Sequence, residues 1–329
     1  MIRKLFIILL AATSLHFMVP LGLHGGAAPR IPRIGILIAE SGPGETQTIK
    51  GLRDGLKELG YIEGENLIVE LRDAKGDRSA LQTMADELVG KKVDVIFTTG
   101  SRPTHAAKAV TKEIPIVFRH SADPAALGFL KNMQRPEGNV TGVAAFSSYM
   151  TDKRLEILKT IVPNLRRVHI FYDSNSKYSG GNFLAAQTVA TKLGLEVADH
   201  GIKASDEIKP SFDKMQVRNG DAILQISDDL IESNVNLLFD GAKKLRLPTM
   251  FDQETWAIKG SLASYGPNYT QMGRQAAQLI DKLLKGGKPS DVPVQSASKF
   301  DLVINLRTAN IIGLNITQET LHKADRIIR

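Results

Sequence analysis

Residues 33–71, RIGILIAESGPGETQTIKGLRDGLKELGYIEGENLIVEL, carry the pattern that decides the fold. The short apolar run at 34–38 is bounded by proline and glycine turn signals, which is typical of a buried parallel strand. Apolar residues then recur at helical spacing before Gly60, which permits a left-handed helix end, and a second apolar run covers 67–71. Such a strand–helix–strand unit forms a right-handed crossover in a parallel sheet, so we expect a ligand at the loop after the first strand.

The same alternation continues along the chain and restarts near residue 146. We therefore predict an α/β protein with two doubly wound parallel-sheet (Rossmann-like) lobes and a ligand cleft between them. The predicted N-terminal lobe comprises 31–145 plus about 262–299, and the predicted C-terminal lobe comprises 146–261 plus about 300–329. Within the C-terminal lobe, the sequence also predicts a glycine-containing loop at 173–181 and one continuous helix over 230–245.

The length of the chain and its amino-terminal sequence indicate how many domains it has and in which cellular compartment it acts. A chain of 329 residues suits about two domains, and it contains no cysteine. Arg3 and Lys4 precede an apolar run at 5–15 and the small residues at 25–28, which predicts a cleaved secretory signal peptide over 1–27. A lipoprotein anchor requires a cysteine at the mature amino terminus. We therefore expect a protein released into a bacterial periplasm, and not a lipoprotein.

The residue patterns argue against several functions. The basic residues behind the net charge of +7 are scattered in pairs such as Lys91-Lys92, so no nucleic-acid partner is expected. The Gly42-x-Gly44 pair lacks the third glycine of a dinucleotide site, and no phosphate loop or Gly-x-Ser-x-Gly elbow occurs in the sequence. The histidines lack paired spacing for a metal or a triad. We expect no catalytic residue, metal or cofactor, and we predict a protein that is not an enzyme.

Polar residues at the predicted strand ends are the candidate ligand contacts. Ser41 and Ser101 lie where hydroxyls and helix N-termini suit an anionic group, and Asp173 or Asp228 in the other lobe suits an ammonium group. Each side chain also fits ordinary helix capping, so the argument depends on their shared position. The full set of candidate ligand-binding residues is Ser41, Gly42, Thr99, Ser101, Ser121, Tyr172, Asp173, Ser174, Asp228 and Asp252.

Several stretches resemble the solute-binding proteins of bacterial ABC transporters, in the group that includes binders of tryptophan and other aromatic amino acids. They include GLRDGLKELGYIEGENLIVE, VDVIFTTGS, RPEGNVTGV, KRLEILKTIVPNLRRV and KFDLVINL. The resemblance implies a type I periplasmic-binding-protein fold with three crossovers between lobes that close on a small ligand. It also implies that Ser101 contacts the ligand carboxylate and that Asp228 holds the amino group. The loops at 40–42 and 172–174 would border the cleft.

This resemblance also implies partners and leaves alternatives open. The expected function is capture of a small carboxylate-bearing solute, an amino acid or related compound, for an ABC permease and its ATPase subunit in the inner membrane. A monomer is expected. Arg102, Arg119 and His120 stand where small or apolar residues are usual, so a ligand with an extra carboxylate, or one that is not an amino acid, fits as well. The alternatives are a binding protein that feeds a chemoreceptor or sensor kinase, and an enzyme of unknown reaction. A lactose-repressor-like regulator lacks support because no amino-terminal helix-turn-helix precedes the first strand.

Overall fold

Two β-sheets, each with helices packed on both faces, organise the chain from Pro32 to Arg329. The computed structural model describes residues 30–120, 124–125, 128, 130, 132–146, 150–226 and 228–329, the side chains of Tyr178 and Asp229 excepted. The predicted signal peptide at 1–27 lies outside these residues. Among the described helices, none combines the length and the apolar composition needed to cross a membrane.

Among the described residues, the strands form one six-stranded and one seven-stranded sheet. The first has the order β11-β5-β4-β3-β1-β2 and the second the order β13-β12-β10-β9-β8-β6-β7. All neighbours are parallel except β10 and β12, which pair antiparallel. The strands are β1 (Arg33–Ile38), β2 (Ile68–Asp73), β3 (Val95–Thr99), β4 (Ile116–His120), β5 (Val140–Ala144), β6 (Arg167–Asp173), β7 (Glu196–Ile202), β8 (Asp221–Gln225), β9 (Thr249–Phe251), β10 (Ala263–Pro267), β11 (Gln295–Ser296), β12 (Phe300–Asn305) and β13 (Arg326–Ile328).

Helices follow most of the strands, as the right-handed crossover rule requires. The predicted α/β fold class with two parallel-sheet lobes is confirmed. The helices are α1 (Pro43–Glu58), α2 (Ala80–Gly90), α3 (Ser101–Val110), α4 (Thr151–Ile161), α5 (Lys177–Lys192), α6 (Ile208–Asp213), α7 (Asp229–Ser233), α8 (Val235–Lys244), α9 (Glu254–Lys259), α10 (Tyr269–Leu284), α11 (Leu306–Ile312) and α12 (Gln318–His322).

Each sheet has a separate apolar core on either face. In the first sheet, Ile36, Phe97 and Val117 pack under α1 and α10, whereas the residues between them in sequence pack under α2 and α3. The second sheet repeats this plan, with α5 on one face and α6 and α8 on the other. Successive side chains of a strand point to opposite faces of the sheet, and here helices cover both faces. Successive residues are therefore mostly apolar, which explains the nearly continuous apolar runs in the sequence.

The chain crosses between the two sheets three times. It crosses between β5 and α4, between β10 and α10, and between β11 and β12. Strand β10 belongs to the second sheet, since it pairs with β9 and β12. The sequence analysis assigned this strand to the N-terminal lobe, and its pairing shows that the crossing comes after Pro267 and not at about residue 262.

Two local predictions in the second lobe were wrong. The segment expected as a loop at 173–181 contains the start of α5, because the Ser176 hydroxyl accepts a hydrogen bond from the Ser179 N–H and caps the helix. The helix expected over 230–245 is broken at Asn234. Its side-chain amide donates to the Leu230 carbonyl at 2.8 Å, a local bond that competes with the helical backbone.

Candidate ligand-binding site

The strand order locates a ligand-binding crevice in each sheet. Open parallel sheets bind ligands where helices after adjacent strands depart to opposite faces. In the first sheet this point lies between β1 and β3, because α1 and α3 pack on opposite faces. In the second sheet it lies between β6 and β8. At the first crevice, Gly42 and Ser101 follow β1 and β3, and Thr99 is the last residue of β3. At the second, Asp173 is the last residue of β6, and Asp228 follows β8.

A polar contact joins the two lobes near the carboxyl ends of their strands, where the two crevices lie. The Gln47 side-chain amide, in the second turn of α1, donates to the Glu254 carboxylate at 3.3 Å. Glu254 begins α9, which follows β9, and it also forms an ion pair with Arg326 of β13. The loops at the carboxyl ends of the two sheets therefore face each other.

Ser101 lies at the amino terminus of α3 and is held by a histidine. Gly100, with φ of 88°, turns the chain from β3 into the helix, a backbone conformation that favours glycine. The Ser101 hydroxyl lies 2.8 Å from Nε2 of His120, at the end of β4. Burial, with the positive charges of Arg119 and His105, lowers the pKa of His120 to about 3. The imidazole is therefore neutral at physiological pH and orients a hydroxyl beside free helix amides, which suits a carboxylate.

Arg119 is buried beside an acid and an aromatic ring. Its guanidinium Nη2 donates to the Glu45 carboxylate at 3.0 Å, and its Cζ lies 4.6 Å from the centre of the Tyr269 ring. Tyr269 begins α10, immediately after the second crossing between the lobes, and its ring packs on Gly44 of α1. Burial raises the pKa of the Tyr269 hydroxyl. Sequence reasoning noted Arg119 as a departure but missed Glu45 and Tyr269, whose proximity depends on tertiary structure.

Asp228 joins the ends of two strands in the second lobe. One carboxylate oxygen accepts a hydrogen bond from the Ile231 N–H at 3.0 Å and caps α7, and the other accepts from the Asp173 N–H at 2.9 Å. The Asp173 carboxylate in turn accepts from the Asn175 N–H at 2.8 Å. A carboxylate has about four acceptor positions, so Asp228 retains capacity for a ligand ammonium group.

Three other predicted contacts are occupied by neighbouring parts of the fold. The Tyr172 ring stacks on Phe183 with ring centres 4.5 Å apart, inside the core under α5. The Ser174 hydroxyl donates to the Ile202 carbonyl at 3.3 Å, and the Ser41 hydroxyl donates to Asp73 at 2.6 Å. The two serine hydrogen bonds join the end of β6 to β7 and the end of β1 to β2, and the ring stack joins β6 to α5. The ligand roles of Tyr172, Ser174 and Ser41 therefore remain predictions. Predicted Ser121 lies outside the described residues.

The remaining candidates are buried or form backbone contacts. Asp252 follows β9 and is 1% exposed, and its N–H donates to the Gln225 side chain at 3.2 Å. Burial lowers the pKa of Arg154 and the negative charge of Asp252 opposes that shift, so the two residues act as charge partners. The Gly42 carbonyl accepts hydrogen bonds from the N–H and the hydroxyl of Thr46 and so starts α1.

Other parts of the described surface offer less. Across residues 30–120 and the rest of the described ranges, no group of three or more histidine, aspartate or glutamate side chains suits a metal ion. A cavity of about 410 Å³ lies in the second lobe at the amino ends of the strands and includes Asn164, Gly220 and Arg246. This edge is opposite to the one where β6 and β8 deliver Asp173 and Asp228.

Comparison with known proteins defines the family. Residues 33–328 match the sequence model of the ABC transporter substrate binding proteins, so the chain belongs to this family. The resemblance found in the sequence is thereby confirmed. The chain is also similar to a tyrosine-binding protein of Clostridioides difficile (strain R20291), at 28% identity over 281 residues, which is 85% of this chain and 81% of the relative.

Solved structures show the same fold. The ABC domain of Streptococcus pneumonia in complex with L-Trp has a TM-score of 0.79 and 26% identity, and the match covers 91% of this chain and 100% of that one. The ligand-free, open structure of a substrate-binding protein with adhesive properties from Clostridium difficile has a TM-score of 0.77 and 26% identity, over 91% and 99% of the two chains. The two-lobed architecture is therefore that of type I periplasmic binding proteins.

Proposed function

We propose that this protein is the substrate-binding component of an ABC importer and captures a small carboxylate-bearing solute of the amino-acid class. A ligand that contacts both lobes favours their closed arrangement, and only this difference in affinity shifts the equilibrium between open and closed forms. The closed form then delivers the solute to a permease and its ATPase subunit in the inner membrane. Membership of a substrate-binding family supports a binding role and not an enzymatic one.

One observation carries the proposal. The crevice residues of the two lobes have complementary chemistry, with the hydroxyl of Ser101 and the amino terminus of α3 in the first lobe and the carboxylate of Asp228 in the second. A zwitterion suits this pair, because the helix terminus favours its carboxylate and Asp228 favours its ammonium group. The tyrosine-binding relative and the structure with L-Trp support the amino-acid class, and aromatic amino acids are the first ligands to test.

The proposal is tested by calorimetric titration of the mature protein, refolded to remove bound ligand. The probes are L-tyrosine, L-tryptophan, and their analogues without the amino or carboxylate group. Asp228→Asn keeps an oxygen to cap α7 but removes the charge, so we expect at least a tenfold loss of affinity for amino acids and little loss for acids without an amino group. Ser290→Ala, at an exposed serine, is the control. If neither these probes nor L-glutamate and L-glutamine bind the wild-type protein, the amino-acid class is wrong.

The place of action is part of the same proposal. The protein would act as a monomer in the periplasm after removal of residues 1–27. Intact mass measurement on protein recovered from a periplasmic extract tests this, because cleavage after Ala27 gives one defined mass. A protein of full length in the membrane fraction would contradict it.

A further inference from the structure

Two buried polar side chains lie side by side at the end of the first sheet. Thr99 of β3 and Arg119 of β4 are register partners, so their side chains project from the same face, towards α1 and α10. Thr99 is 4% exposed and Arg119 is 5% exposed. Within the part of the chain that the structure describes, the Thr99 hydroxyl and the Arg119 Nε–H have no hydrogen-bond partner. Unpaired buried donors are uncommon in native proteins, and each requires an explanation.

The neighbours of Arg119 leave part of its guanidinium unused. A guanidinium has five N–H donors in a planar fork. Glu45 accepts from Nη2 at 3.0 Å, and Tyr269 covers one face of the group with its ring. The Glu45 side chain is more exposed than that of Arg119, at 29% against 6%, so the acid lies at the outer side of the pair. A positive group with spare donors at this position suits a further oxyanion, since arginine pairs well with carboxylates.

Arg119 and Ser101 are two separate anion-favouring positions in one lobe. Arg119 faces α1 and α10, whereas its neighbour His120 faces α3 and holds Ser101. The first position would take the carboxylate common to all amino acids, as proposed above. Arg119, the second position, would therefore contact a different part of the ligand, its side chain, and distinguish one amino acid from another.

We infer that Arg119, with Thr99 beside it, binds a second acidic group of the solute and makes the protein prefer acidic amino acids or their dicarboxylate relatives over neutral amino acids. This inference rests on the proposed function, because it concerns the same ligand and the same crevice. A purely structural role for Arg119, as counter-ion of Glu45 and partner of Tyr269, is the competing explanation. The ligand-binding role and the structural role of Arg119 predict different effects of Glu45→Gln on the affinity for an acidic ligand.

The experiment compares probes that differ only in charge. Calorimetric titration uses L-glutamate against L-glutamine, and 4-carboxy-L-phenylalanine against its 4-carbamoyl analogue. We expect the wild-type protein to bind the acid of at least one pair tenfold or more tightly than the amide. Arg119→Gln abolishes that preference, and Thr99→Val reduces it. Glu45→Gln raises the affinity for the acid severalfold, because it removes the negative charge that competes for the guanidinium. Arg53→Gln, at an exposed arginine of α1, is the matched control.

The outcomes separate this inference from the proposed function. If the wild-type protein binds L-tyrosine or L-tryptophan but binds acids and amides equally, the proposed function stands and the role of Arg119 is overturned. If Glu45→Gln weakens binding of the acid as much as Arg119→Gln does, Arg119 is structural and the inference is overturned. If neither these probes nor L-tyrosine and L-tryptophan bind, both are wrong. Should Arg119→Gln fail to fold, Glu45→Gln and the wild-type preference decide the question.

Discussion

A pair of histidines, His169 buried and His200 half-buried, should make this protein lose stability in mild acid. His169 Nδ1 lies 2.9 Å from His200 Nε2, and His169 Nε2 lies 3.2 Å from the Asp221 carboxylate. Arg167 donates to both oxygens of Asp221, at 2.9 and 2.6 Å. If either imidazole took up a proton, its positive charge would lie close to Arg167 and to the other ring. Asp221 would compensate that charge only in part, because both of its oxygens already accept hydrogen bonds from Arg167. Neutral imidazoles are therefore favoured in the folded protein.

The sign and size of the effect follow from the pKa values. Burial, with the charges of His169 and Arg167, lowers the pKa of His200 from 6.5 to about 4 in the folded protein. The unfolded chain binds more protons below pH 6.5, so this stabilisation is fully present above that pH and is lost as the pH falls through 6.5 towards 4. Between pH 7 and pH 5 the loss is about 2 kcal/mol for His200. The pKa of His120 is about 3, so its contribution to the free energy of unfolding falls by a similar amount, about 2 kcal/mol, over the same pH range.

Urea denaturation at pH 7 and pH 5 measures this loss. The wild-type free energy of unfolding should fall by about 4 kcal/mol or more. His200→Gln should fall by about 2 kcal/mol less, because glutamine keeps a hydrogen-bonding group but does not titrate. His322→Gln, at an exposed position of α12, should behave as the wild type. A wild-type change within about 1 kcal/mol, or an equal fall in His200→Gln, would refute the argument.

Two further changes test the packing of the lobes and the role of Asp228. An added Cβ at Gly51 would overlap the Thr270 carbonyl oxygen where α1 crosses α10, so Gly51→Ala should lower the free energy of unfolding by about 1–3 kcal/mol in urea. Gly90→Ala, which meets no neighbour within 4 Å, should not destabilise the protein, and equal losses would contradict the packing argument. Asp228→Ala should cost about 1–3 kcal/mol through the lost cap and the unpaired Asp173 N–H. Asp228→Asn should cost less, and equal unfolding midpoints for the two variants would show that the carboxylate oxygens are not the caps.

Much of the fold could be predicted because its signals are local. The apolar runs of β1, β3 and β5 and the helical spacing in α1 and α10 depend on residues close in sequence. The errors occurred where one side chain outweighed the local pattern. Ser176 starts α5 in a glycine-containing segment, and Asn234 ends α7 inside an apolar repeat. Each effect depends on which backbone group a single polar side chain reaches, and composition does not determine that choice.

Prediction of the site was limited by sheet order. A polar residue after a strand contacts whatever lies beside that strand, and the sequence does not specify the neighbour. Four of the serine and aspartate candidates follow strands that border the points where helices change face. Ser41 and Ser174 follow β1 and β6, which also border the edge strands β2 and β7, and their hydroxyls bond to those edges, whereas Ser101 and Asp228 follow β3 and β8, which have no edge strand beside them. Arg119, Glu45 and Tyr269 come from three separate elements, and the first two are 74 positions apart in the sequence. Their proximity requires the register of β3 and β4 and the crossing after β10, so only a three-dimensional structure could connect them to ligand selection.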